Sequence, residues 1–547
     1  MMGPNMNHDQ TNNNPVKVLN HQTIVYEDCG WKKFLPLVYM RATFQLRCGM
    51  MTLLDRVINQ LLTEEQLAKR LSDVGGEYPI AFDDYQFNAV QQDSAQVVAD
   101  NLRVNDCGVG VRDAADPNAE ALHPSTSSVK SNFPVSVDAQ SFSPANSLSL
   151  WCRTEIAEVV SERTGLNVNQ AIQGQPTLLL SGRGIWSSIP DWDDTQSSWV
   201  GVVGDGQDVA CVAVGSDFDG IIQPQDLLNE SRTRMLLHHL PKRDVSSHVQ
   251  LVKWPWDLVN ANAKCLVKDG EQSWLGFGQV DGQVDTGAHL LNESAIHLGD
   301  GSRVMPCVVI DAESGPVWIG KNVTVFPNSY IQGPAFIGDG SVLQPGSVVR
   351  GGNTLGPVCK VGGEIEGSII QGYSNKQHDG FLGHSYLGSW INIAADCVNS
   401  DLKNTYGSVR VPINGREVDT GETFVGMFVG DYSKAGINVS FPTGSVVGFC
   451  SNVFAPRSPK FIPSFAWING DECERYDEEK GLQLARKVMA RRNRVLTEAE
   501  ERVFRNVRQQ VLAFEHQPQR DLEYVPVAPV PVNRVIPSEV VTPLIRG

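Results

Sequence analysis

Aliphatic residues recur at every sixth position along Ile319, Val325, Ile331, Ile337, Leu343, Val349, Leu355 and Val361. The residue four further on is usually small: Ser329, Ala335, Ser341, Ser347, Cys359. A second run keeps the period at Val429, Ala435, Phe441, Val447 and Val453, with small residues at Ser433, Ser445 and Ser451. Six matches neither the helical period of ~3.6 nor the alternation of a simple strand. It predicts a prism-shaped solenoid with a short strand, a sharp turn and one inward aliphatic on each of three faces, about eighteen residues per coil. Inward aliphatics of successive coils then stack into a column, and small residues occupy the corners. A β-sandwich fits less well, because its strands recur every ~8–12 residues. The solenoid is expected over residues 290–457. Between the two runs, Gly367 to Thr423 breaks the period, and segments expelled from a solenoid tend to carry function.

Outside that region the pattern changes. Ile24–Tyr26 and Pro176–Gly182 read as strands, and Val200–Val203 and Val209–Val214 flank the turn signal Gly204-Asp205-Gly206. Met51–Leu71, Pro224–Leu240 and Asp257–Lys268 have apolar residues at helical spacing. Residues 21–289 therefore read as an α/β domain, with residues 105–149, polar and rich in Ser, as a disordered insertion. After the solenoid, residues 475–515 read as helical: Leu482, Ala485, Val488 and Met489 share one face, and Thr497-x-x-Glu500 is a capping box. The Arg486–Arg494 charge run reads as a solvated helix face. Residues 1–20 and 516–547 read as a disordered and an extended tail.

Composition narrows the class. Gly makes up 50 of 547 residues, which favours a turn-rich β architecture. The net charge of −17 argues against sequence-independent nucleic-acid binding and against anionic membrane surfaces. No apolar run reaches the ~18 residues of a membrane helix, and Met1–Asn20 has no signal-peptide core. The eleven cysteines form no C-x-x-C pair, which reads as reduced thiols in a cytoplasm.

The segment Gly372–Arg410 concentrates His378, Asp379, His384, Asn392, Asp401, Lys403, Asn404 and Tyr406. A histidine among exposed polar residues can act as a general base near neutral pH. Here the chain resembles the hexapeptide-repeat left-handed β-helix acyltransferases, and more closely a bifunctional family with uridylyltransferase and N-acetyltransferase halves that makes UDP-N-acetylglucosamine. That family's motif runs His-x-x-Tyr-Leu-Gly and, nine residues on, Asn-Ile-Gly-Ala-Gly. This chain has His378-Asp-Gly-Phe381-Leu382-Gly383, then Asn392-Ile393-Ala394-Ala395-Asp396. A divergent bacterial branch with sugar-nucleotidyltransferase character is closer still, and its signature resembles Leu35-Pro36-Leu37, then Arg41-Ala-x-Phe44-x-Leu46-Arg47-Cys48-Gly49 and Thr52. The resemblance spans residues 21–457.

The resemblance implies an α/β nucleotidyltransferase-like (Rossmann-like) domain, then a left-handed parallel β-helix, then a short helical C-terminal region. It implies acyl transfer from acetyl-CoA to an amino sugar 1-phosphate by the solenoid. His378 would accept the amine proton, Asn392 would help orient the substrate or the base, and the Ala395 N–H would meet the oxyanion. Lys376 and Lys403 would bind sugar or coenzyme A phosphates beside Phe381, with Arg350 and Lys360 as weaker anion ligands. Homotrimers are implied, with no nucleic acid or membrane partner. Two departures stand out. Phe381 replaces the family's tyrosine, and Gln344 replaces an arginine in Leu343-Gln344-Pro345-Gly346.

The N-terminal half lacks the family's G-x-G-T-R phosphate loop and has Glu27-Asp28-Cys29-Gly30-Trp31-Lys32-Lys33 instead. Nucleotidyl transfer from a nucleoside triphosphate with Mg²⁺ would fall to Lys32, Lys33, Arg41 and Arg47 for the phosphates. Asp28 and Asp205 would hold the metal. Two alternatives stay open: a nucleotidyltransferase with a purely structural trimerising solenoid, and a non-catalytic sugar-nucleotide-binding scaffold.

Overall fold

A computed structural model describes residues 21–61, 148–172, 176–192, 197–206, 208–272 and 275–515. The tails 1–20 and 516–547 lie outside the described residues, as does the expected insertion 105–149 except for its last two residues. Those two, Leu148 and Ser149, begin a buried strand, Leu148–Trp151. The expected helix Met51–Leu71 is present as Leu53–Leu61, and residues 62–71 lie outside the described residues.

In the N-terminal part, seven strands form one sheet. From edge to edge they are Lys242–Asp244, Trp199–Val203, Asp208–Val214, Thr177–Ser181, Gln22–Tyr26, Leu148–Trp151 and Asn167–Val168. All run parallel except Asp208–Val214. The central strands carry the unbroken runs Ile24-Val25-Tyr26 and Leu178-Leu179-Leu180 because both of their faces are covered. Ile24, Leu179 and Val212 meet Ile222, Leu227 and Leu237 on one side. On the other side, Val25, Leu178 and Leu180 join a core that continues into the solenoid. The helix Pro255–Asp269 buries Leu258, Cys265 and Leu266. At its start Asp257 accepts the Lys253 and Trp254 N–H groups at 2.7 and 3.0 Å.

The solenoid has three parallel faces. The long face has ten parallel strands from Gln283–Val284 to Ala466–Asn469, closed by an eleventh, Glu472–Arg475, that turns back antiparallel. An inner face of nine strands runs from Ile296–Leu298 to Phe461–Ile462. A short face of six ends at Phe381–Gly383. The coils therefore extend past the expected 290–457 at both ends, where the hexad is diluted by polar residues or longer turns. Val325 pairs with Leu343 and Leu343 with Val361, one eighteen-residue coil apart. Corner hydroxyls close the coils: Ser433 Oγ donates to Gly448 O at 2.5 Å and accepts the Ser451 N–H at 2.9 Å.

The hexad breaks because the coil length changes. Leu355 pairs with Ile370, fifteen residues on, and Ile370 with Leu387, seventeen on. Leu387 then pairs with Val429, forty-two residues on, because the chain first leaves the prism as the hairpin Arg410–Ile413 and Arg416–Asp419.

The N-terminal part and two C-terminal helices, Glu478–Ala490 and Glu498–Phe514, pack on the solenoid. Phe504 lies against Phe449, Tyr432 and Phe465, with ring centroids 5.0–5.8 Å apart. The inner face carries the polar groups of the junction. Arg41 bonds Asp431 at 2.9 Å and Ser389 at 3.1 Å. Arg47 donates its Nε–H to Gln371 O at 3.0 Å and its N–H to Tyr386 Oη at 2.8 Å. Thr354 donates to Gly49 O at 2.8 Å. No helix among the described residues is long and apolar enough to cross a membrane.

Candidate functional site

The irregular coils place two histidines at the two ends of one strand, Phe381–Gly383. His378 precedes it, at the corner between the long and short faces. His384 follows it, at the corner between the short and inner faces. Phe381 pairs with Glu364 on the short face and is half-buried.

The His378 corner is held from inside. In register, Lys376 follows Val361 and Leu343 in the inward column of the long face. It is 1% exposed. Its ammonium donates to His378 O at 2.6 Å and to the carbonyls of Gly362, Asp379 and Gly380 at 3.2–3.3 Å. Burial lowers its pKa to about 8. The expectation that Lys376 binds a phosphate is therefore corrected. The fifteen-residue coil turns its side chain into the prism, where it ties down the turn carrying His378. His378 itself is exposed, and its Nε2 lies 3.2 Å from Gln377 Nε2.

Ala395 occupies the same corner one coil on, linked to the His378 turn by the Asp396 N–H donating to Asp379 O at 3.1 Å. Asn392 lies on the outer side of the long face, stacked on Asn375 at 3.3 Å and followed in register by Lys434. The structure thus brings His378, Ala395 and Asn392 to adjoining positions. Lys360 precedes Asn375 in this row, and burial, then Arg492 and Arg491, push its amine pKa down. Arg492 donates to Asn375 at 3.1 Å, so the charge run read as a solvated face leans partly onto the solenoid. Lys403 lies outside the prism in the expelled segment and donates to Ser408 O. Arg350 lies on the short face, ion-paired with Glu364. Neither joins the His378 corner.

Sequence reasoning gave no role to the second histidine. His384 Nδ1 lies 2.8 Å from Asp401 Oδ2. The two residues are seventeen apart, one coil length at this height, so they stack on adjacent coils. That spacing was the available signal, but the hexad does not reveal a seventeen-residue coil.

The expected nucleotide and metal ligands do not converge. Arg41 and Arg47 are 1% and 2% exposed and bond the solenoid, so both are corrected from phosphate ligands to junction residues. Lys32 and Lys33 lie elsewhere, with their ammonium groups 5.0 Å from the Phe514 ring and 5.2 Å from the Trp254 ring. At the carboxyl ends of the central strands, Asp28 pairs with Arg183 at 2.8 Å and Glu27 with Arg153 at 2.8 Å. Burial raises the pKa of the Glu27 carboxyl. Asp205 is in the hairpin turn between Trp199–Val203 and Asp208–Val214, two to three strands from Asp28 in the sheet, or about 10–14 Å. The two cannot share one cation, and no group of three or more potential ligands gathers among the described residues. These residues do not fit a Mg²⁺ ion.

Residues 316–351 match the family model for the bacterial transferase hexapeptide (six repeats). A bifunctional sugar-1-phosphate nucleotidylyltransferase/acetyltransferase of Sulfurisphaera tokodaii is 26% identical over 244 residues, covering 43% of this chain and 59% of that protein. The bifunctional protein GlmU of Rippkaea orientalis is 31% identical over 149 residues, 27% of this chain and 31% of that one. GlmU of Bordetella parapertussis is 25% identical over 260 residues, 46% and 52% respectively. The chain thus spans about three fifths or less of these relatives. The solved LpxA from Acinetobacter baumannii is 12% identical with a TM-score of 0.21, covering 38% of this chain and 76% of that one. The fold assignment rests instead on the strand pairing above.

Proposed function

We propose that this chain, a divergent relative of the bifunctional sugar-1-phosphate nucleotidylyltransferase/acetyltransferases, transfers an acyl group from acetyl-CoA to the amine of an amino sugar 1-phosphate. The solenoid carries the reaction. The observation that supports it is the corner where His378, Ala395 and Asn392 adjoin, in the order and spacing of the acetyltransferase motif. The Ala395 N–H is suited to the oxyanion that forms as the thioester carbonyl is attacked. An ammonium has no lone pair, so a base must take the amine proton, and His378 at this corner is the candidate. The N-terminal part descends from a nucleotidyltransferase-like domain in this reading. Its strand ends are closed by Asp28–Arg183 and Glu27–Arg153, which favours docking over nucleotidyl transfer. A homotrimer is part of the proposal.

One preparation tests the reading. Incubated with acetyl-CoA and glucosamine 1-phosphate or related amino sugar phosphates, the protein should release CoA. It should release no pyrophosphate from UTP or dTTP with sugar 1-phosphates, and light scattering should give the mass of three chains. Pyrophosphate release without CoA release would overturn acyl transfer in favour of nucleotidyl transfer. Neither activity would leave a binding scaffold.

A further inference from the structure

One face of the helix Pro255–Asp269 lies against the chain at Cys48–Met50, next to the arginines that bond the solenoid. Leu258, Asn262, Cys265 and Asp269 follow one another at helical spacing along that face. Asn262 Oδ1 accepts the Gly49 N–H at 2.6 Å, and Asp269 accepts the Met50 N–H at 2.9 Å. Gly49 permits the approach: its φ is +74°, and a Cβ there would come within 2.8 Å of Cys265 Cβ. Two thiols meet at this contact. Cys48 Sγ lies 3.5 Å from Leu258 O and donates to Cys265 Sγ at 3.6 Å. The two cysteines are 217 residues apart in the chain.

Only one of the two can be reached from outside. Cys265 lines a cavity of about 310 Å³ with Met51, Arg56, Trp186, Lys264 and Lys268. Lys264 and Lys268 are exposed, so the cavity opens to solvent. Cys48 is 0% exposed and forms no part of the cavity wall. The Cys48 hydrogen bond and, after it, Arg56 hold the Cys265 thiol below its ordinary pKa against the effect of burial. The same hydrogen bond, with burial, pushes the Cys48 thiol up. Cys265 is thus the thiolate of the pair and Cys48 the proton donor.

We propose that Cys48 and Cys265 are a peroxide-sensitive dithiol whose disulfide staples the helix Pro255–Asp269 to the joint with the solenoid. Peroxide enters the cavity and the Cys265 thiolate attacks one of its oxygens. An S–O bond forms, the O–O bond breaks, and hydroxide leaves, so Cys265 becomes a sulfenic acid. Cys48 sulfur then attacks the sulfenic sulfur. The S–S bond forms, the S–O bond breaks, and the departing hydroxide takes the Cys48 proton and leaves as water. The two sulfurs together lose two electrons, and the two peroxide oxygens gain them. The sulfurs must close by about 1.5 Å to bond, and the cavity beside Cys265 gives room for that movement. A dithiol reductant reverses the step by exchange. The staple bears on the joint because Gly49, next to Cys48, accepts from Thr354 of the solenoid through its carbonyl, and Arg47, on the other side, bonds Gln371 and Tyr386.

The test treats the folded full-length chain with hydrogen peroxide, then compares peptide maps and melting curves with and without dithiothreitol. A non-reduced digest of wild type should contain a Cys48–Cys265 linked peptide, about 2 Da lighter than the sum of its two parts, which dithiothreitol separates. The linked protein should melt about 5 °C higher than the reduced one, because the disulfide closes a long loop of the unfolded chain. In Cys48→Ala the sulfenic acid has no resolving thiol, so Cys265 should go on to a sulfinic acid about 32 Da heavier. In Cys265→Ala, Cys48 should stay a thiol, because peroxide does not reach it. Should either variant fail to fold, the wild-type link and its melting shift decide. Oxidation of the exposed Cys307 and Cys473 without a Cys48–Cys265 link overturns the proposal. A linked protein that melts no higher than the reduced one overturns the staple. Oxidation of Cys48 in Cys265→Ala overturns the order of attack.

Discussion

Lys376 occupies a core position that the preceding coils give to Val361, Leu343 and Val325. Its ammonium is tolerated there because carbonyl oxygens of the adjoining turns receive it. Burial nevertheless holds its pKa at about 8, below the ordinary 10.5. Asp379, Asp396 and Cys397 are the titratable groups around it that favour the proton. Between those two pH values the unfolded chain keeps a proton that the folded chain has released. Stability should therefore rise with pH across that window and lose this increment as pH falls through about 8. In Lys376→Met the contribution vanishes. The wild-type melting temperature should thus gain on that of the variant between pH 8 and 10, as read by calorimetry. A constant difference would show that the buried ammonium does not titrate there.

At the scale of elements, regular coils were legible in the sequence and irregular ones were not. Six-residue spacing reports the inward column only while each coil has eighteen residues. The fifteen- and seventeen-residue coils keep three strands but shorten the turns, so the hexad drifts while the fold does not. The candidate site lies in that stretch. The histidine motif could be located there, but Lys376 could not be turned inward, nor His384 paired with Asp401, without the coil lengths. The C-terminal helix was easier, because its cap is local. Thr497 Oγ1 accepts the Glu500 N–H at 3.1 Å, and Glu500 returns the bond to the Thr497 N–H at 3.0 Å. Thr497→Ala should cost ~1 kcal/mol, read as a shift in the denaturant midpoint with an unchanged slope.

Across the whole molecule, the Arg41-to-Gly49 signature serves as a joint. Phosphate binding by Arg41 and Arg47 was a reasonable expectation from charge alone, since sequence does not say which carboxylate or carbonyl a distant coil will present. Asp431 is 390 residues from Arg41, yet the two meet at 2.9 Å with both side chains buried. Arg41→Met leaves Asp431 buried without its cation and should cost about 3–5 kcal/mol in urea unfolding. The double change Arg41→Met with Asp431→Asn should recover part of that loss. Full additivity of the two single changes would show that the pair is not coupled.

The last strand of the long face, Glu472–Arg475, runs against the ten before it. A stack of parallel coils otherwise ends in a row of unpaired backbone groups that could template the first coil of another molecule. The reversed strand presents Glu472, Cys473, Glu474 and Arg475, all exposed, in the wrong direction for such growth. The long face thus ends on a strand that cannot continue the parallel stack, which guards this face against end-to-end fibre formation, a hazard of repetitive β architecture.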